Sequence, residues 1–168
     1  MQNQHFEIKK YSANYNEQIL GVWERSILVT HDFLKPKDFQ SIKSIVQTID
    51  FNAFDVYCLV KDTEVAGFIG VAAQKLEMLF LSPDHIGKGL GKTLLNFAIT
   101  ELNADKVDVN EQNTRAVDFY KNAGFETYER TEKDDQGNDY PLLRMKLATI
   151  DKIQIHGAHE KNEYFWKR

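Results

Sequence analysis

The sequence predicts a mixed α/β or α+β layer fold, with one mostly antiparallel sheet of about seven strands flanked by four helices. Three observations carry this expectation. Short apolar or alternating runs recur along the chain and read as strands. Between them lie stretches whose apolar residues repeat at helical spacing. The connections are short and marked by Gly, Pro, Asn and Asp.

In order, residues 6–11 (FEIKKY) alternate loosely and read as a first strand. Over 14–29 the residues Ile19, Val22, Trp23, Ser26 and Ile27 line one side of a helix. His31-Asp32-Phe33-Leu34 interrupts it, and Pro36, suited to a first turn, opens a second helix running to Ile49. Residues 54–61 and 64–73 are strands joined by a polar turn, and the apolar run Met78-Leu79-Phe80-Leu81 completes an antiparallel meander. Ser82-Pro83-Asp84 halts that run, and a third helix follows with Leu90, Leu94, Leu95, Ala98 and Leu102 on its apolar face. Residues 106–110 make a short strand, and a helix over 113–123 ends at Gly124. A hairpin of 125–133 and 140–147 closes the pattern around DDQGND.

No repeat, low-complexity tract or linker divides the chain, so residues 1–148 read as one domain and 149–168 as a C-terminal extension. Its Tyr164-Phe165-Trp166 cluster leaves a partner contact and an unpacked end both open. The length suffices for a substantial core. A net charge of −4 argues against a nucleic-acid partner, which calls for a basic face. No leader-like segment and no run of membrane-spanning length is read, so no membrane association is expected. The one cysteine, Cys58, excludes an intrachain disulfide framework and sits in an apolar run as a small hydrophobe, which makes a cytoplasmic location the simple expectation. His156 and His159 stand three apart without a third ligand, so no metal site is expected.

The chemistry is concentrated in two stretches. In the first, an apolar strand runs into Gly87-Lys88-Gly89-Leu90-Gly91-Lys92 and then into a helix. A strand, a glycine-rich turn and a helix start form a concave row of N–H groups backed by the positive end of a helix dipole, which suits a phosphate. The nucleotide-binding form G-x-x-x-x-G-K-[ST] fits Gly91-Lys92-Thr93 but puts Ile86 at its first glycine. The dinucleotide form G-x-G-x-x-G puts Lys92 or Leu94 at its last. In the second stretch, Asn113, Ala116 and Tyr120 fall on one helical face, where the small Ala116 permits close approach between an amide and a phenol.

The first stretch resembles the acyl-CoA loop of the GNAT acetyltransferases, Q/R-x-x-G-x-G/A, with Gly89 and Gly91 at its glycines and Ile86 as a departure at the Q/R place. The second resembles that family's N-x-x-A-x-x-F-Y-x-x-x-G-F, matched by Asn113, Ala116, Phe119, Tyr120, Gly124 and Phe125. The THDFL, VNEQN and YPLL segments are similar to the small bacterial YjaB-like branch. The resemblance implies a GNAT-type sheet and transfer of an acetyl group from acetyl-CoA, with no metal, directly to a primary amine of a small molecule or of a peptide or protein lysine. It implies that the strand before the glycine loop splays from its neighbour, so that main-chain groups at Leu79, Phe80 and Leu81 pair with the pantetheine arm. Ile86, Gly87, Lys88, Gly89, Leu90, Gly91 and Lys92 would then hold the pyrophosphate, and Asn113 would touch the CoA arm.

For the chemistry, the resemblance points to Tyr120 as proton donor to the leaving thiolate and to Glu77 as the base that frees the amine. His31, an imidazole near neutral pH, is the second choice of base, with Asp32 to orient it or to draw a cationic amine. Each has a plainer reading: Tyr120 as a core aromatic, Asn113 as a helix cap, Glu77 as a solvated strand residue, His31 as a surface or cap histidine. The alternative function is a CoA-binding sensor or partner-binding protein with little turnover. The acceptor and the oligomeric state, a homodimer included, stay open at this point.

Overall fold

Two separate apolar clusters, one on each side of a sheet, account for nearly all of the buried side chains. The structure, a computed structural model, describes residues 5–148. Its elements are β1 (Glu7–Lys10), α1 (Asn16–Thr30), α2 (Pro36–Val46), β2 (Asp55–Lys61), β3 (Glu64–Ala72), β4 (Lys75–Leu81), α3 (Leu90–Glu101), β5 (Lys106–Asn110), α4 (Thr114–Asn122), β6 (Phe125–Thr131) and β7 (Leu142–Leu147). The sheet order is β1-β2-β3-β4-β5-β7-β6, antiparallel except between β4 and β5.

β3 is buried from Val65 to Val71 because it lies within the sheet and is covered on both faces. On one face Leu59, Ile69, Leu76 and Leu81 pack with Leu94, Leu95 and Ala98 of α3 and with Val117 and Tyr120 of α4. On the other, Val56, Cys58 and Phe68 pack with Ile19, Val22, Trp23 and Ile27 of α1 and Phe39 of α2. The apolar stripes read from helical spacing are therefore the stripes the sheet covers. Burial raises the Cys58 thiol to about 12, so it stays a protonated, inert hydrophobe.

The expected strands and helices are present, with shifted ends. α2 stops at Val46; Thr48 and Ile49 close turns onto Ile45 and Val46, and Ile49 reaches the core from the turn. Tyr140 lies outside β7, because its N–H is taken by the Asn138 carbonyl and Pro141 has no N–H to add to the ladder. β6 ends at Thr131, two residues short of the expected end, as Asp134 gathers the N–H groups of Gln136 and Asn138 into a turn. Among the described residues no helix is long and apolar enough to cross a membrane. The extension with Tyr164, Phe165, Trp166, His156 and His159 lies outside the described residues.

Candidate active site

The sheet opens in its middle. β4 pairs with β3 along its length, from Lys75 opposite Ala72 to Leu81 opposite Gly67. Against β5 it pairs only at Lys75 with Lys106 and Leu76 with Val107. β5 instead continues along β7 as far as Asn110 opposite Leu142. The opening begins where the β3–β4 register skips, since Met78 faces Gly70 and Leu76 faces Val71, leaving Glu77 as the extra residue of a bulge on β4. Bulges bend the strand that carries them. Beyond the bulge, the main-chain groups of Leu79, Phe80 and Leu81 that turn toward β5 have no strand partner, so the interior of the sheet contains a free edge.

That edge leads into the glycine loop. After a single 3-10 turn at Pro83–His85, Gly87 and Gly89 both take φ of +80°, the left-handed region in which L side chains are strained. Gly89 is the N-cap of α3, and no side chain caps the helix. The N–H groups of Gly87, Lys88, Gly89, Leu90 and Gly91 find no main-chain acceptor, and nothing lies within 4 Å of the points where Cβ atoms of Gly87 and Gly89 would stand. These amides are orphan donors at the positive end of a helix, facing open space, and they fit an anion. Ile86 packs against the α3-side core, so at this position only the main chain is offered to a ligand. At Gly91 a Cβ would stand 3.5 Å from Leu81 at the end of β4 and 3.6 Å from Phe119 of α4, so the loop runs beside both.

α4 brings up the second motif. Asn113 caps it, its Oδ1 accepting from the Ala116 N–H at 3.2 Å, so the capping role is real and the side-chain amide nitrogen is left for other use. Two turns on, Tyr120 is 7% exposed and packs edge-on against Phe119 and Phe125 with centroids 5.1 and 5.7 Å away. Among the described residues its hydroxyl has no hydrogen-bond partner. Burial pushes the phenol above its usual range and keeps it protonated at neutral pH.

Glu77 stands on the α1 side of the sheet, because the bulge sets it on the same face as Met78 and Phe80, both packed against the α1-side core. It is exposed and meets Lys75 Nζ at 3.9 Å. Lys75 in turn donates to Asp108 of β5 at 2.6 Å, and Asp108 also accepts from Arg144 of β7 at 2.7 Å. Desolvation is the largest single influence and opposes the Lys75 charge, but the bond to Asp108 and the negative charges of Asp108, Glu77 and Asp135 together outweigh it and hold the ammonium above its ordinary range. The result is a charged chain across β4, β5 and β7 with Glu77 at its looser end.

His31 caps the C-terminus of α1, its N–H bonded to the Ile27 carbonyl. Its ring partner is Thr30, with Oγ1 and Nδ1 2.7 Å apart, and not Asp32 as the sequence suggested. Thr30 Oγ1 already donates to the Ser26 carbonyl at 2.8 Å, so Nδ1 carries the ring proton and Nε2 is bare. Burial lowers the imidazole to about 4, with Asp32 pulling weakly the other way. A folded-state value below the unfolded one, near 6.5, means the unfolded chain takes the proton first. Stability is therefore lost as pH falls from about 6.5 to about 4, and His31→Gln should lose less over that window in urea titrations.

The structure thus brings the glycine loop, the free edge of β4 and the Tyr120 face of α4 around one opening. Glu77 stands on the α1 face of the sheet and His31 at the C-terminus of α1, and no hydrogen bond or ion pair joins either to Tyr120. Lys75, Asp108, Arg144 and Thr30 are additions that no local sequence signal marks. Among the described residues no cluster of acidic, His or Cys side chains suits a metal.

A sheet parted after its fourth strand, with an uncapped helix mouth where it parts, defines an acyl-transfer fold of the GNAT class. Residues 28–148 match the family described as "Acetyltransferase (GNAT) domain"; the chain belongs to that family and is an N-acetyltransferase. It is 35% identical over 138 residues to the peptidyl-lysine N-acetyltransferase YjaB of Salmonella typhimurium, covering 82% of this chain and 95% of that one. The solution structure of apo-form YjaB from Escherichia coli superposes with a TM-score of 0.78 at 31% identity, over 86% of this chain and 98% of that one. The PaiA N-acetyltransferase of Thermoplasma acidophilum, solved in complex with coenzyme A, shares the fold with a TM-score of 0.66 at 22% identity, over 86% and 99% of the two chains. The sensor alternative is not favoured by these relatives.

Proposed function

We propose that the protein transfers the acetyl group of acetyl-CoA to the side-chain amine of lysine in a peptide or protein, working in the cytoplasm. The observation that carries the reading is the free edge of β4 ending at five unclaimed N–H groups. The edge is the right kind of partner for the amide-bearing pantetheine arm, and the N–H cradle for its diphosphate. Lysine, rather than a small amine, is favoured by the named activity of the YjaB relatives.

The protein's own residues divide the work. Glu77 accepts a proton from the lysine ammonium, which makes the nitrogen a nucleophile. A main-chain N–H on the free edge near Leu79 to Leu81 stabilises the negative oxygen that forms as nitrogen bonds to the thioester carbon. Tyr120 gives its proton to the thiolate as the carbon–sulfur bond breaks, and the proton that the nitrogen sheds on becoming an amide restores the phenol. His31, neutral with a bare Nε2 but held near 4, is a weak base and the second choice.

Thiol release from acetyl-CoA with lysine peptides, polyamines and small amines tests the proposal. Release stimulated by lysine peptides is expected; stimulation by small amines alone would move the acceptor to that class. Glu77→Gln should lower turnover by about tenfold or more near pH 6, where deprotonating the amine is hardest, with a smaller effect at alkaline pH. A loss independent of pH would turn attention to His31.

A further inference from the structure

Two sequence segments, THDFL at 30–34 and YPLL at 140–143, meet in the fold. Tyr140 is 5% exposed, and its hydroxyl accepts from the Lys35 N–H at 3.0 Å and donates to Asp38 Oδ2 at 2.5 Å. Lys35 is the N-cap of α2 and caps it with no side chain of its own, while Asp38 stands in the first turn. In an ordinary capping box the third-residue carboxylate takes the N-cap N–H directly. Here a hydroxyl from the β6–β7 connection, more than a hundred residues away in sequence, stands between the two and completes the cap. The Tyr140 ring also lies 6.1 Å from Phe33, whose ring is 5.2 Å from His31.

The same segment walls a cleft of about 350 Å³ lined by Ile27, Leu28, His31, Leu34 and Phe39 among others, on the side of the sheet to which the bulge turns Glu77. We propose that Tyr140 is a positioning residue that latches the start of α2, and with it the His31–Phe33 segment, against the end of the sheet, and thereby sets the wall along which the acceptor peptide lies. This rests on the reading of a lysine peptide as acceptor. Among the described residues no hydrogen bond or ring contact joins Tyr140 or Asp38 to the glycine loop or α3, so the latch acts on acceptor binding and leaves the acetyl-CoA side alone.

Steady-state kinetics with a lysine peptide on Tyr140→Phe, Asp38→Ala and Asp38→Asn tests this, with circular dichroism to confirm folding. Tyr140→Phe keeps the ring against Phe33 and removes both hydrogen bonds. It should raise the peptide KM about tenfold, the size of a net hydrogen-bond contribution, and leave the acetyl-CoA KM within about twofold. Asp38→Ala should do the same. Asp38→Asn, which keeps an acceptor oxygen, should stay near the parent, and Tyr140→Phe combined with Asp38→Ala should be no worse than either alone. Parallel rises in both KM values, an Asp38→Asn chain as impaired as Asp38→Ala, a silent Tyr140→Phe, or failure of Tyr140→Phe to fold would each overturn the latch. A parent protein that turns over no lysine peptide would overturn the acceptor reading and the latch with it; a normal parent lacking the split removes the latch alone.

Discussion

Gly89→Val should abolish coenzyme A binding in a chain that still folds. The φ of +80° at Gly89 is a conformation a β-branched residue resists, at a cost of about 1–2 kcal/mol, which a domain of ordinary stability survives. A Cβ at Gly89 meets nothing in the protein within 4 Å, so the added atoms start from open space rather than from the core. What they occupy is the open space in front of the α3 N–H groups, where the diphosphate has to come within hydrogen-bond distance. Calorimetry should therefore show no association with coenzyme A, while circular dichroism and a thermal melt report a folded domain. Retained affinity would mean that the loop is only a tight turn.

Tyr120→Phe should lower kcat by about 100-fold or more while the KM for acetyl-CoA moves by no more than about twofold, the pattern of a group that acts in the transition state. The ring is buried between Phe119 and Phe125, and phenylalanine fills the same space, so the fold should not suffer. The pH dependence has a definite sign. Burial raises the phenol, so its proton is not lost until above the ordinary tyrosine range, and Tyr120 should contribute no alkaline limb between neutral pH and about 10. An unchanged rate in Tyr120→Phe would leave Tyr120 as a core aromatic only.

The parts of the site legible in the sequence are those governed by local rules. The left-handed φ at Gly87 and Gly89 leaves its mark as glycine, and the spacing of Asn113, Ala116 and Tyr120 follows from the helical repeat. Helix faces were equally plain, since Ile19, Val22, Trp23 and Ile27 are apolar for the reason that they are buried. Strand register is another matter. The parting of β4 from β5 was expected only through family resemblance, because no residue between Leu76 and Leu81 marks where pairing stops. Lys75, Asp108 and Arg144 come from three strands that neighbour one another in the sheet but are far apart in the chain, with β7 taking the place beside β5 ahead of β6, so their ion pairs had no signature. Thr30 was hidden by its neighbour, since Asp32 looked the better partner for His31. Ile49 continued the helical spacing of Val46 and made α2 look longer than it is, although it reaches the same core from a turn. Tyr140, read as a strand residue, serves a helix cap more than a hundred residues away in the sequence.

The claim underneath these results is that main-chain N–H groups at the start of α3 bind the diphosphate of coenzyme A. Titration calorimetry comparing coenzyme A with pantetheine, which carries the arm and thiol but no diphosphate, tests it most directly. The account predicts clear binding of coenzyme A and an affinity for pantetheine weaker by about a hundredfold or more, the worth of two or more charge-assisted hydrogen bonds. No heat with coenzyme A, or equal affinity for the two, would contradict it.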